Sequence, residues 1–216
     1  MSLIRYRYQT LEFGERDIHV RTLRDVQQFH DEGGEAEKLG ISSALWPLFG
    51  IVWISSEVLA SLMQDYDVEG KRILEVGCGI GLASLMLGYR HADITATDYH
   101  PAAAHFLKEN ERLNGLDPIP FHRASWYDEK TGLGTFDLVI GSDLLYERQH
   151  VDALAGFIDR HAREHCEVIV VDPGRGNAAR FTRAMQERGY EHHPAPKIAQ
   201  ECPSGPFVGH ILRYTR

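Results

Sequence analysis

A glutamate and three glycines alternate along Glu75-Val-Gly77-Cys-Gly79-Ile-Gly81, directly after the apolar run Arg72-Ile-Leu. Glycines let a backbone turn tightly and approach a ligand closely, and a following helix presents free N–H groups at its start. Asp98 ends the next apolar run, nineteen residues beyond Gly79. A carboxylate at that spacing can accept hydrogen bonds from both hydroxyls of a ribose. Together these features point to a ligand that carries a nucleoside. A dinucleotide is the obvious competitor. Its G-x-G-x-x-G fingerprint, counted from Gly77, requires glycine at position 82, where the chain has Leu82.

The elements that must position these residues can be read from periodicity. RILEV, DITATD, IPFHRA, FDLVIGSD and EVIVVD are short apolar runs suited to buried strands. Between them lie helical stretches: LASLMLGYR, PAAAHFLKENERLN with Pro101 in its first turn, Arg148 to His165, and GNAARFTRAMQERG. Strands alternating with helices at this spacing predict a parallel sheet with helices on both faces. Upstream, residues 3–23 alternate apolar with charged side chains around Gly14-Glu15, the pattern of a β-hairpin. Asp31 to Lys38 predicts a mobile loop. The aromatic stretch ALWPLFGIVW leads into a helix with Ser55 or Ser56 as its cap. The tail suggests two further strands.

Composition bounds the remaining possibilities. A chain of 216 residues with 43% hydrophobic and 25% charged residues reads as one soluble domain. Residues 1–45 form a hairpin and loop extension, and residues 46–216 the main domain. The net charge of −8 argues against a nucleic-acid partner, which needs a basic face. Cys78, Cys166 and Cys202 form no CxxC pair, and their odd number argues against a disulfide framework. The N-terminus shows no apolar leader and no run of membrane-spanning length is apparent, so the expected location is cytoplasmic.

Residues 46–146 resemble the class I S-adenosylmethionine-dependent methyltransferases, and within them methyltransferase family 16, which includes protein-lysine enzymes. Four stretches carry the resemblance: Gly50-Ile-Val-Trp53, Glu75 to Gly81, Ala124-Ser125-Trp126 and Asp143-Leu-Leu-Tyr146. It implies a Rossmann-like, doubly wound, mostly parallel seven-stranded sheet, with the hairpin and the aromatic segment covering the cofactor. Glu75, Gly77, Gly79 and Gly81 would belong to the S-adenosylmethionine site, with the glycines at its methionine end. Asp98 would hold the ribose, with Tyr99, Ser125 and Trp126 beside the adenine and Trp53 closing the pocket. Relatives often carry proline after that tryptophan where this chain has Ile54, a departure that bears on the substrate more than on the cofactor. Methyl acceptors usually sit at the fourth strand end, where Asp143 would orient an amine and Tyr146 shield it from water. Asp143 counts with both the catalytic and the cofactor-binding residues.

The implied reaction is N-methylation of a protein lysine, with S-adenosylhomocysteine as product. Methylation of a small amine and a non-catalytic cofactor-binding module are the alternatives. No metal is assigned: His161 and His165 lack the glutamate of a zinc motif and read as surface residues, and His192-His193 have no cysteine partner nearby. Cys78 lies near a helix start, where thiol pKa tends to fall, but reads as a space-filling residue. The turn Asp172-Pro-Gly-Arg175-Gly-Asn177 belongs to the same rim, with Arg175 within reach of a substrate.

Overall fold

Alternating side chains fold Tyr6–Phe13 (β1) back onto Arg16–Leu23 (β2), with Gly14 at φ +61° in the turn. The computed structural model describes residues 4–216, so Leu3, within the expected hairpin, lies outside the described residues. The stretch expected to be a loop contains a four-residue helix, Glu35–Lys38 (α1). Asp31 accepts the N–H groups of Ala36 and Glu37 and starts that turn. A 3₁₀ turn, Trp46–Gly50, precedes Ile54–Asp65 (α2). Trp46–Asp65 together is long and apolar enough to cross a membrane by length and composition, contrary to the sequence reading. The fold breaks it between Gly50 and Ile54 and buries much of it. The capping residue of α2 is Trp53, in extended conformation, and not a serine. Ser55 and Ser56 already lie inside the first turn, where the Ser56 hydroxyl donates to the Trp53 carbonyl.

The remaining elements are Arg72–Val76 (β3), Leu82–Tyr89 (α3), Asp93–Asp98 (β4), Ala103–Asn114 (α4), Phe121–Arg123 (β5) and Phe136–Ser142 (β6). They continue with Val151–His161 (α5), Ala162–Asp172 (β7), Ala178–Gln186 (α6), Glu191–His193 (β8), Ile198–Cys202 (β9) and Gly205–Thr215 (β10). Among the described residues the main sheet has eight strands, one more than expected. Its order is β5-β4-β3-β6-β7-β10-β8, and β9 pairs with the start of β10. Strands β3 to β7 are parallel, and β10 runs antiparallel to β7, β8 and β9. The architecture is therefore the mixed, Rossmann-like α/β sheet that the sequence reading implies, with a separate N-terminal hairpin.

Alternate strand residues feed two cores. Ile73, Leu138, Ile140, Ile169 and Val171 pack on one face with α2, α3 and α4. Leu74, Val76, Val139, Val168 and Val170 pack on the other with α5 and α6. A sheet buried on both faces needs continuous apolar runs, and that is why these strands stand out in the sequence.

The α5–β7 boundary differs from expectation because distant partners override local preference. Helix α5 stops at His161, since Ala162 pairs with Phe136 and Cys166 exchanges backbone bonds with Arg216. His161 is buried, with its ring nitrogens near the Gly134 carbonyl and the Thr131 hydroxyl at 2.9 and 3.1 Å, while His165 lies in β7. Helix α4 starts after Ala102, leaving Pro101 just outside its first turn.

The hairpin packs on α4 and α3 and contributes nothing to the cavity described below, which the aromatic segment covers together with residues 39–41. The outward backbone of β2 is met by two asparagines one turn apart on α4. Asn110 accepts from Arg21 N at 2.7 Å, and Asn114 both accepts from His19 N (2.8 Å) and donates to its carbonyl (2.7 Å). One helical turn advances about 5–6 Å and two strand residues about 6–7 Å, so alternate strand amides meet side chains four apart on a helix. The buried Asn110 also donates to the Ile80 carbonyl at 3.0 Å, tying the hairpin to the glycine loop. Replacing Asn110 with alanine leaves a buried donor and a buried acceptor unpaired. The expected loss is on the order of 3 kcal/mol in urea denaturation.

Candidate functional site

The chain runs outward from β3 through β4 to β5, then returns to place β6 on the other side of β3. The carboxyl ends of β3 and β6 therefore open a crevice, the usual ligand position in such sheets. A cavity of about 530 Å³ occupies it. Gly77 to Ile80, Asp98, Tyr99 and His100 line one side, Ser125 to Tyr127 another, and Ser142 to Leu144, Tyr146 and Arg175 a third. Leu39–Ile41, Leu48, Phe49 and Trp53 form the cover.

The glycine loop is held by close packing. Gly79 has φ +57°, and a Cβ there would lie 2.9 Å from the Phe49 carbonyl oxygen. A Cβ on Gly77, at φ +64°, would lie 2.6 Å from Leu144 Cδ2. Glycine is thus required on both counts, backbone angle and space. Asp98 secures the loop through Oδ2, which accepts Gly79 N–H at 2.8 Å, while Oδ1 accepts His100 N–H at 2.8 Å. Burial raises its carboxyl above the ordinary value against these opposing hydrogen bonds.

Glu75 and Gly81, expected among the ligand contacts, do not line the cavity. Gly81 caps α3 against Leu107. Glu75 is buried behind the loop, and its Oε2 accepts Ser84 N–H at 2.9 Å together with the Ser84 hydroxyl. It fixes the start of α3 and hence the loop between them. Burial pushes its carboxyl up to about 7, against the pull of Ser84. Cys78 is also buried, which holds its thiol well above the ordinary range and makes it a packing residue.

The cover explains the aromatic stretch. Trp53 donates Nε1–H to the Leu48 carbonyl at 2.9 Å, and Phe49 stacks on His100 with centroids 3.8 Å apart. Burial takes His100 down to about 4, so its ring is neutral at physiological pH. Tyr99 donates to the Leu39 carbonyl at 2.7 Å and ties down residues 39–41. Phe49 belongs to the aromatic stretch expected to cover the site, whereas His100 and the 39–41 segment carry no motif and were missed by sequence reasoning. Ser125 opens a turn in which its N–H reaches Asp128 at 2.8 Å, and Trp126 stands beside it over His150.

On the β6 side Asp143 adopts φ +54°, rare for a residue other than glycine, and donates its N–H to the Val171 carbonyl at 2.9 Å. Its side chain is 9% exposed and receives a bidentate ion pair from Arg175, Nε to Oδ1 and Nη2 to Oδ2, both 2.8 Å. Arg175 is set by Asp172, which accepts Gly174 N–H at 3.1 Å, while Asn177 donates to the Leu145 carbonyl at 2.8 Å. Tyr146 stands half exposed at the rim, where partial desolvation and the neighbouring Glu147, Asp98 and Asp143 push its phenol up to about 12, so it stays neutral.

A family model described as lysine methyltransferase matches residues 31–188. The chain is 30% identical over 139 residues to the electron transfer flavoprotein beta subunit lysine methyltransferase of Xenopus laevis, covering 61% of this chain and 56% of that protein. It is 25% identical over 153 residues to a calmodulin-lysine N-methyltransferase of Arabidopsis thaliana, covering 65% and 50%. The chain thus spans about half the length of these relatives. Among solved structures it resembles a 16S rRNA methyltransferase of T. thermophilus (TM-score 0.66, 15% identity), over all of this chain and 51% of that one. It also resembles magnesium protoporphyrin IX methyltransferase of Synechocystis (TM-score 0.57, 17% identity), over 74% and 80%. At such identities the likeness is one of fold.

Glu75 makes stability depend on pH. The native state keeps a proton that the unfolded chain releases above about 4.5, so stability falls as pH rises from there to about 7. Relative to Glu75→Gln, the wild type is expected to lose roughly 3 kcal/mol at most across that window. Denaturant melts of both proteins at pH 5 and pH 7.5 check this; a constant difference refutes it.

Proposed function

The chain belongs to the lysine methyltransferase family, and on that premise we propose that it methylates the side-chain nitrogen of a lysine in a protein, with S-adenosylmethionine as donor. One observation carries the reading. A single cavity joins the glycine loop and Asp98, suited to a nucleoside, with Asp143 and Tyr146, suited to an amine. When bound, the donor supplies a sulfonium methyl: the amine lone pair forms the N–C bond as the C–S bond breaks, and the sulfur leaves neutral.

The residues suit that donor. A volume of about 530 Å³ falls within the range of cofactor sites. Each Asp98 oxygen accepts one backbone N–H, which leaves lone pairs for ribose hydroxyls. Gly77 and Gly79 bring bare backbone to the methionine end. Tyr99, Ser125 and Trp126 border the adenine, and Trp53 closes the pocket. Glu75 and Gly81 act from behind as positioning residues.

For the acceptor, the nitrogen must present a neutral lone pair. Asp143 accepts a hydrogen bond from the amine and so directs that lone pair, while neutral Tyr146 covers it. Excluding water favours the neutral amine and the Asp143 carboxylate favours the ammonium, so the proton that the arriving ammonium carries leaves to solvent before the lone pair attacks. Orientation then contributes much of the remaining acceleration, on the order of 7–11 kcal/mol in favourable cases.

Calorimetric titration with S-adenosylhomocysteine is expected to show micromolar binding, with none for NAD. Incubation of the protein with labelled donor and cell extract should then label a protein band. Asp143→Ala should lower that labelling on the order of 100-fold even at saturating donor. Binding of NAD alone, or unchanged labelling by the variant, overturns the reading.

A further inference from the structure

A second recess, about 350 Å³, lies beyond the wall of the cavity. The two spaces share three residues, Trp53, Asp143 and Arg175, which therefore form the partition between them. The rest of the recess is chiefly apolar, built from Ile54 on α2, Pro173, and Pro206 to Val208 at the start of β10. Buried Glu57 of α2 accepts Ser204 N–H at 3.0 Å and fixes the β9–β10 turn beside this opening. Ser55 lines the recess with its hydroxyl buried and unpartnered among the described residues. On the side shared with the cavity stands the Asp143 carboxylate, spanned by the Arg175 guanidinium, which also sits 5.8 Å from the Trp53 ring centre.

Charge and shape identify an occupant. An apolar lane ending at a carboxylate beside an aromatic face matches a long aliphatic stem tipped with a cation. The partition already holds such a cation, Arg175, whose side chain is 41% exposed and lies between Gly174 and Gly176. We propose that this recess is the entry lane for the acceptor lysine, and that Arg175 is a displaceable counter-ion that holds Asp143 until the lysine ammonium replaces it. The inference rests on the methyltransferase reading and adds to it a lane and a specificity-determining residue. An arginine on Asp143 keeps the carboxylate paired when no acceptor is present. It also sets a threshold that an uncharged side chain cannot cross, since leaving Asp143 buried and unpaired is costly.

The test uses the full chain saturated with S-adenosylhomocysteine and two calorimetric probes, Nα-acetyl-lysine amide and its uncharged counterpart Nα-acetyl-norleucine amide. Arg175→Gln removes the internal competitor and should bind the lysine probe about tenfold more tightly than wild type, with the norleucine probe unaffected. Val208 is 60% exposed, so Val208→Arg should fold normally. Its cation at the mouth should weaken the lysine probe several-fold. Val208→Arg, which lies outside the cofactor cavity, should retain wild-type affinity for S-adenosylhomocysteine, and both variants are compared at saturating S-adenosylhomocysteine. Equal or weaker lysine binding by Arg175→Gln, or no effect of Val208→Arg, overturns the lane while leaving the methyltransferase reading intact. Failure of the wild type to bind S-adenosylhomocysteine defeats that reading, and this inference with it.

Discussion

Strands β3 and β6 lie side by side in parallel register, Val76 against Gly141, yet the chain leaves their carboxyl ends toward opposite sides of the sheet. The crevice that results is a consequence of connectivity, and the rest of the site is arranged to keep it open. Leu144 is central to this. Its side chain packs against Gly77 and Gly141, each so close that a Cβ would lie within 2.6 Å of it. Wedged between the two strand ends, it directly follows Asp143, which stands at φ +54°. Bulk at either glycine would displace the leucine and with it the acidic residue.

Around this wedge, carboxylates and amides organise the backbone. Glu75 holds the start of α3, Asp98 holds the glycine loop, Asp172 the turn after β7, and Asp31 the first turn of α1. Asn110 and Asn114 do the same between α4 and β2. Loops that converge on a ligand site cannot all satisfy their amides within strands or helices, and an unpaired buried amide costs on the order of 1–3 kcal/mol. Side-chain acceptors meet that requirement, so a site rich in loops is also rich in buried polar residues. The raised carboxyls of Glu75 and Asp98 are the electrostatic consequence of that placement.

The division of labour across the crevice follows from the same geometry. The β3–β4 side offers bare backbone and the Asp98 carboxylate, an arrangement generic to nucleoside sites. The β6–β7 side, with the β9–β10 hairpin, offers Asp143, Arg175 and an apolar recess. The family match ends at residue 188, so it does not reach that hairpin.

The sequence alone determined the strand–glycine–helix rhythm, the parallel sheet, and Gly77, Gly79, Asp98, Asp143 and Tyr146 as strand-end residues. These were legible because they rest on short-range rules: buried strands need continuous apolar runs, and tight turns need glycine. Tertiary structure decided the rest. Cys166 pairs with Arg216 and draws a stretch that reads as helix into β7, and His161 at the end of α5 is buried against Phe157 with Thr131 and Gly134 as its polar partners. Glu75 and Gly81 fit the motif as well as their neighbours, and only the path of α3 puts them behind the wall. Arg175 meets Asp143 across 32 positions, and Phe49 stacks on His100 across a longer gap still. Spacing within a motif constrains bonds along the chain, but which distant side chains touch is set by how helices and strands pack, and a local pattern carries no record of that.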